Sequence, residues 1–108
     1  MHHGEDAMML VRGELCDRLE SLRAMTPRLS ANDFALRVDQ MRRLAAAYGL
    51  TPVVRLTEAL ERAVGRSEQD LRRCPTALYL VRLRDAIGCE RLDEAASEAL
   101  LASVSVRL

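Results

Sequence analysis

The sequence predicts an all-α fold: an antiparallel four-helix bundle with an additional C-terminal helix. Three observations lead there. Ala, Leu, Arg and Glu dominate, while aromatic residues are 3% and β-branched residues are sparse, which is the composition of helices. Apolar residues recur at spacings of three and four in successive segments, so they share one face of a helix in each. Pro, Gly and Ser/Thr fall between those segments, where helices start and stop. A chain of 108 residues with 49% hydrophobic content supports one core and a single domain, residues 1–108. No Pro/Gly/Ser-rich linker or solenoid-period repeat divides it.

The first helix is expected over residues 6–25, with residues 1–6 disordered. Met8, Val11, Leu15, Leu19 and Leu22 form its apolar stripe. Gly13 weakens it, and Pro27 ends it because the residue before a proline avoids the α region. The second helix opens at Ser30. Ser30 and Asp33 make a capping-box pair in which each side chain can accept from an orphaned backbone N–H. Phe34, Val38, Met41, Ala45 and Tyr48 form its buried stripe, and Gly49 occupies the left-handed position after its end.

Thr51-Pro52 starts the third helix, with a hydroxyl N-cap and a proline at the first helical position. Its apolar face is Val53, Leu56, Leu60, Ala63 and Val64; Glu58 is placed to pair with Arg62, and Gly65 is the expected stop. A connection as short as Gly49–Thr51 forces the second and third helices to be antiparallel neighbours. Residues 67–74 admit either a short capped turn or the start of a longer helix. The fourth helix is expected over residues 75–87. Ala77, Leu78, Leu80, Val81, Leu83 and Ile87 give it a wide apolar face that implies burial on more than one side, and Gly88 follows as its terminator. The fifth is expected over residues 91–103. It carries Ala95, Ala96, Ala99 and Ala102, small side chains that allow close helix approach. The tail 104–108 alternates, which fits either extended or frayed chain.

Charge and cysteine content exclude several function classes. Sixteen basic residues, all Arg, balance sixteen acidic ones, and a neutral chain lacks the excess positive charge of a nucleic-acid or anionic-membrane binder. The doublets Arg42-Arg43 and Arg72-Arg73 lie among acids and read as solvated helix faces. No run is long enough to span a bilayer. Residues 1–6 lack the basic and apolar regions of a signal peptide, so a cytoplasmic location is expected. His2 and His3 fit a tag remnant and enter no site. Cys16, Cys74 and Cys89 have no C-x-x-C spacing and read as small buried hydrophobes in a reducing compartment.

Catalytic constellations are missing. With both histidines at positions 2 and 3, neither a Ser-His-Asp nor a Cys-His arrangement can be assembled in the folded part. Phosphate-cradling glycine loops and zinc-ligand spacings are absent as well. The expectation is therefore a chain that is not an enzyme, with no cofactor and no metal.

One stretch does carry a pattern. It runs Phe34, Val38, Asp39, Gln40, Met41, Arg42, Arg43, Tyr48, Gly49, Thr51, Pro52, then Leu56 and Ala59-Leu60-Glu61. This resembles the histidine-containing phosphotransfer (HPt) domain of bacterial phosphorelays. In that family a helix bearing H-x-L-K-G ends six residues later at a glycine, and the next helix closes on a Leu-Glu pair. Registering on Gly49 and Leu60-Glu61 puts Asp39 at the phosphoacceptor histidine, Met41 at the apolar position, Arg42 at the lysine and Arg43 at the glycine. The match covers about thirty of the 108 residues. A carboxylate thus stands where the family has its imidazole nucleophile, and bulky Arg43 where it has a small glycine. The resemblance implies an HPt-like bundle without relay chemistry.

The sequence thus points to a non-enzymatic protein–protein interaction module, a signalling adaptor or pseudo-phosphotransfer domain. Its candidate docking face is Asp39, Gln40, Arg42 and Arg43, and its partner a receiver or histidine-kinase domain. Two alternatives stand beside it: a helical bundle binding a small ligand, or catalysing, in an apolar central pocket; and a structural domain that forms a homodimer through its Ala-rich fifth helix and broad fourth helix.

Overall fold

The computed structural model of the chain describes residues 3–66, 76–89 and 92–105. These residues are helical almost throughout, with no strand among them. The elements are α1 (His3–Met25), a 3-10 turn (Thr26–Arg28), α2 (Ala31–Ala47), α3 (Thr51–Arg66), α4 (Thr76–Gly88) and α5 (Glu94–Ser105). The radius of gyration is 13.6 Å, close to the roughly 13 Å expected of a compact chain this long.

α1 begins at His3, before the expected position 6. It packs Val11, Leu15, Leu19 and Leu22 into the core, with Met8 at the margin. Pro27 takes an early position in the 3-10 turn, where its missing N–H is harmless. At α2, half of the capping box forms: Ser30 Oγ accepts from the Asp33 N–H at 3.1 Å. Ala31, Phe34, Val38, Met41 and Ala45 are buried. Tyr48 departs from the expected stripe. It is the C-cap residue, where the backbone leaves the helix, and it is 44% exposed.

The α2–α3 connection is a Schellman turn. Gly49 has φ +70°, its N–H donates to the Ala46 carbonyl at 3.3 Å, and the Leu50 N–H donates to the Ala45 carbonyl at 3.0 Å. Leu50 is fully buried, the hydrophobic contact that accompanies this motif. α3 then starts one residue earlier than its expected cap: Thr51 is already helical, and Leu50 supplies the first accepting carbonyl, to Val54 N–H at 3.0 Å. Val53, Leu56, Leu60, Ala63 and Val64 are buried as the periodicity requires. Gly65 does not stop the helix, which continues through Arg66; its φ is not in the left-handed region. Glu58 and Arg62 do not pair among the described contacts. The ion pairs of α3 run to other helices, through Arg55 and Glu61.

α4 buries Tyr79, Leu80, Leu83, Ala86 and Ile87. Ala77, Leu78 and Val81 lie outside that stripe and are exposed, so its covered face is narrower than its apolar composition implies. α5 starts later than expected, at an N-cap not read from the sequence: Asp93 Oδ1 accepts from the Ala96 N–H at 2.8 Å. Ala95, Ala99 and Ala102 are exposed rather than at a helix contact. Ser97 is fully buried, its hydroxyl returned to the Asp93 carbonyl at 3.0 Å. Val104 and Ser105 are helical; the rest of the 104–108 tail, residues 67–74, Pro75 and Cys74 lie outside the described residues. Of the other cysteines, Cys16 is exposed on α1 and Cys89 is half-buried.

Helices α1 to α4 touch in cyclic order: α1 against α2, α2 against α3, α3 against α4, and α4 back against α1. α5 lies outside this cycle, against α3 and α4. One core runs through it, with Phe34, Leu15, Leu22, Met41, Leu56, Leu60, Leu83 and Ile87 fully enclosed. The cycle is tied shut where the Arg12 Nη2 donates to the Cys89 carbonyl at 3.0 Å, placing a cation at the C-terminal end of α4. No helix of the described residues is long and apolar enough to cross a membrane.

Candidate functional site

The candidate face is set by the register of α2. Val38 and Met41 point into the core, so the residues between and beyond them turn away from it. Asp39 and Arg42 lie at the flank of the helix, half-buried toward α3, while Gln40 and Arg43 face solvent. The Schellman turn that fixes the exit from α2 also fixes how α3 returns beside it.

Four charged side chains meet at this flank. Asp39 Oδ1 accepts from Arg42 Nη2, and Asp39 Oδ2 forms an ion pair with Arg43, 2.9 Å from its Nε. Arg42 turns its Nε toward Glu61 Oε1 of α3 at 3.5 Å. Both carboxylate oxygens of Asp39 are thus engaged, and Arg42 bridges α2 and α3. The pairing at i+3 and i+4 from Asp39 is what helix geometry favours on one surface. Burial differs sharply within the group: the Asp39 side chain is 23% exposed and that of Arg43 75%.

Electrostatics follow the burial. Partial burial pushes the Glu61 carboxyl above its ordinary value; the Arg42 charge opposes that, and the nearby Asp39 and Glu58 charges add to it. The Arg42 guanidinium is held more firmly in its charged form, first by its hydrogen bond to Asp39. Two carboxylates and two guanidiniums cancel, so the cluster is neutral. Such an arrangement orients side chains. It offers no free nucleophile, because an attacking Asp39 oxygen would first have to leave a guanidinium.

The structure therefore brings three of the predicted residues, Asp39, Arg42 and Arg43, into one network and leaves Gln40 outside it with a free surface position. Glu61 is the member that sequence reasoning did not assign to the face. Leu36, 57% exposed one turn before Gln40, and half-buried Arg37 extend the same side of α2. For Glu61 the available signal was the short Gly49–Thr51 connection, which folds a residue well down α3 back against the middle of α2. Among the described residues no group of three or more His, Cys, Asp or Glu side chains is placed to hold a metal ion.

Comparison with protein-family models, with curated proteins and with solved structures finds no match to this chain.

Proposed function

We propose that the chain is a non-enzymatic protein–protein interaction module. In this reading α1–α4 form an antiparallel four-helix bundle of HPt-like type that lacks the acceptor histidine, with α5 added outside it. The module docks a receiver or histidine-kinase domain through Asp39, Gln40, Arg42 and Arg43, as a signalling adaptor or pseudo-phosphotransfer domain in the cytoplasm. The cyclic order of contacts among α1–α4 supports the bundle.

The observation that carries the docking reading is the Asp39 network. It holds the exposed Arg43 by its Nε and leaves the outer edge of the guanidinium to a partner. It also braces that helix against α3 through Arg42 and Glu61. Asp39 is a positioning residue here, with Arg43 and Gln40 as the contacts. Side chains pre-oriented on a rigid helix lose less freedom on binding.

A pull-down from the native cell tests it. Recovery of a receiver or kinase domain that is lost on Arg43→Glu, with the helical circular dichroism of the variant unchanged, supports the proposal. Equal recovery by the parent and Arg43→Glu removes it. Arg43 is the informative position because its exposure allows charge reversal without disturbing the core.

A second reading, a homodimer, draws on the large apolar side chains left exposed: Met9, Leu10, Leu36, Leu78 and Val81. Light scattering at rising concentration decides it, since a mass that stays at that of one chain rules the dimer out.

A further inference from the structure

We infer that the α1–α2 hairpin carries a self-association surface whose occupant is a second copy of this chain, seated about a two-fold axis. This names a surface for the homodimer reading above and rests on that reading. Charged residues make up 30% of the sequence, yet residues 7–11 and 44–54 contain none. The fold brings these two windows together. Residues 26–30 join α1 to α2 and the two helices touch, so they run antiparallel. Leu10 lies fifteen residues before the last of α1, and Ala46 fifteen after the first of α2, which puts them at one height. Met8 and Leu44 of the two windows pack on the core. Met9 and Leu10, 72% and 75% exposed, stay outside it with Tyr48, Ala46 and Ala47. By contrast, the flanks of α3 and α4 carry the ion pairs Arg55–Glu94 and Arg82–Asp85, whose water a partner would have to strip.

The charges at its edges identify the occupant. Asp6, one turn before Leu10 on α1, is exposed and has no ion-pair partner among the described residues. Arg43, one turn before Ala47 on α2, meets Asp39 through its Nε alone and is otherwise open. Because the helices are antiparallel, this anion and this cation lie at opposite edges of the uncharged window. A two-fold axis through the window exchanges those edges. It sets Asp6 of each copy against Arg43 of the other, two equal ion pairs on either side of an apolar centre. An Arg43 so engaged is not open to another partner. Met9, Leu10 and Tyr48 leave roughly 400 Å² uncovered per copy, short of the roughly 800 Å² per partner of a standard stable interface. The dimer is accordingly weak and forms with rising concentration.

Sedimentation equilibrium of the full chain, from about 10 µM to about 1 mM, tests the surface. The parent is expected to pass from one chain to two with a dissociation constant on the order of 100 µM. Leu10→Glu is expected to weaken this at least tenfold, and Val81→Glu on α4 to leave it unchanged. Asp6→Arg and Arg43→Glu are each expected to weaken it about tenfold alone. An equimolar mixture of those two variants should regain the dimer, because each edge then joins opposite charges. All four positions are exposed, and circular dichroism checks that the variants keep the parent's helix content. A parent that stays at one chain up to about 1 mM removes the homodimer reading and this inference with it. A parent dimer that survives Leu10→Glu, or a mixture no better than its separate components, removes the inference alone and moves the dimer to another face.

Discussion

Arg42 of α2 and Glu61 of α3 are joined Nε to Oε1 at 3.5 Å, across the Schellman turn that connects the two helices. The same guanidinium holds Asp39 on its own helix. This one side chain therefore couples the orientation of the candidate docking face to the packing of the α2–α3 pair.

Glu61 makes that coupling sensitive to pH. Its value in the folded chain is raised, chiefly by burial, so the fold prefers the protonated form. The stability this gives is fully present below the ordinary value of 4.5 and is lost as pH rises through the raised value. Glu61→Gln is expected to match or exceed the parent near pH 7 by less than about 1 kcal/mol and to flatten this part of the pH profile. Urea melts at several pH values measure it. A loss above about 2 kcal/mol near pH 7 would show that the ion pair outweighs the cost of burial.

Two glycines are expected to respond with opposite signs. Gly49 has φ +70°, and a side chain there is strained although space for it exists. Gly49→Ala should cost about 1 kcal/mol. Gly65 is helical, with open space where a Cβ would stand. Gly65→Ala should add about 0.5–1 kcal/mol by helix propensity and reduced freedom of the unfolded chain. Thermal melts of the two variants separate them.

Depth in the core sets the third expectation. Phe34 is completely enclosed, and Phe34→Ala should cost about 3–5 kcal/mol, enough to unfold much of the population. Leu36, two positions on and turned outward, should tolerate Leu36→Ala within about 0.5 kcal/mol. Chemical denaturation of both variants checks the register of α2; similar losses in the two would mean that Leu36 is covered.

Ser30 tests the start of α2. Its Oγ accepts one of the orphaned N–H groups, and Ser30→Ala should lower stability by about 1 kcal/mol, whereas Ser30→Asp should restore it. Unchanged stability in Ser30→Ala would place the cap outside the cooperative unit.

Helix number and the inward stripes were legible in the sequence because a 3.6-residue period leaves few alternatives. Val11, Leu15, Leu19 and Leu22 in α1 and Phe34, Val38, Met41 and Ala45 in α2 are buried as their spacing demands. Periodicity gives the centre of a stripe and not its width. Leu78 and Val81 therefore share the apolar pattern of Leu80 and Leu83 in sequence but are exposed in the fold. Alanine fits either side of a helix, so Ala95, Ala99 and Ala102 carry no directional signal, and residue type alone does not place Cys16, which is exposed. At the candidate face, the Asp39–Arg43 pair was legible because it is local to one helix. The Arg42–Glu61 bridge was not, because it depends on how two helices rotate about their axes, which the Gly49 turn sets only in three dimensions.

The Arg12–Cys89 hydrogen bond joins positions 77 residues apart, while α2 and α3 meet across a three-residue connection. That difference implies an order of assembly. Closing a short connection costs little chain entropy and closing a long one costs more, so the hairpin is expected to form early and the seam between α1 and α4 last. Substitutions in Leu50 or Leu60 should then slow refolding, and those in Leu15 or Leu83 should mainly hasten unfolding. The face carrying Asp39 and Arg43 would take shape before the chain around it has finished closing.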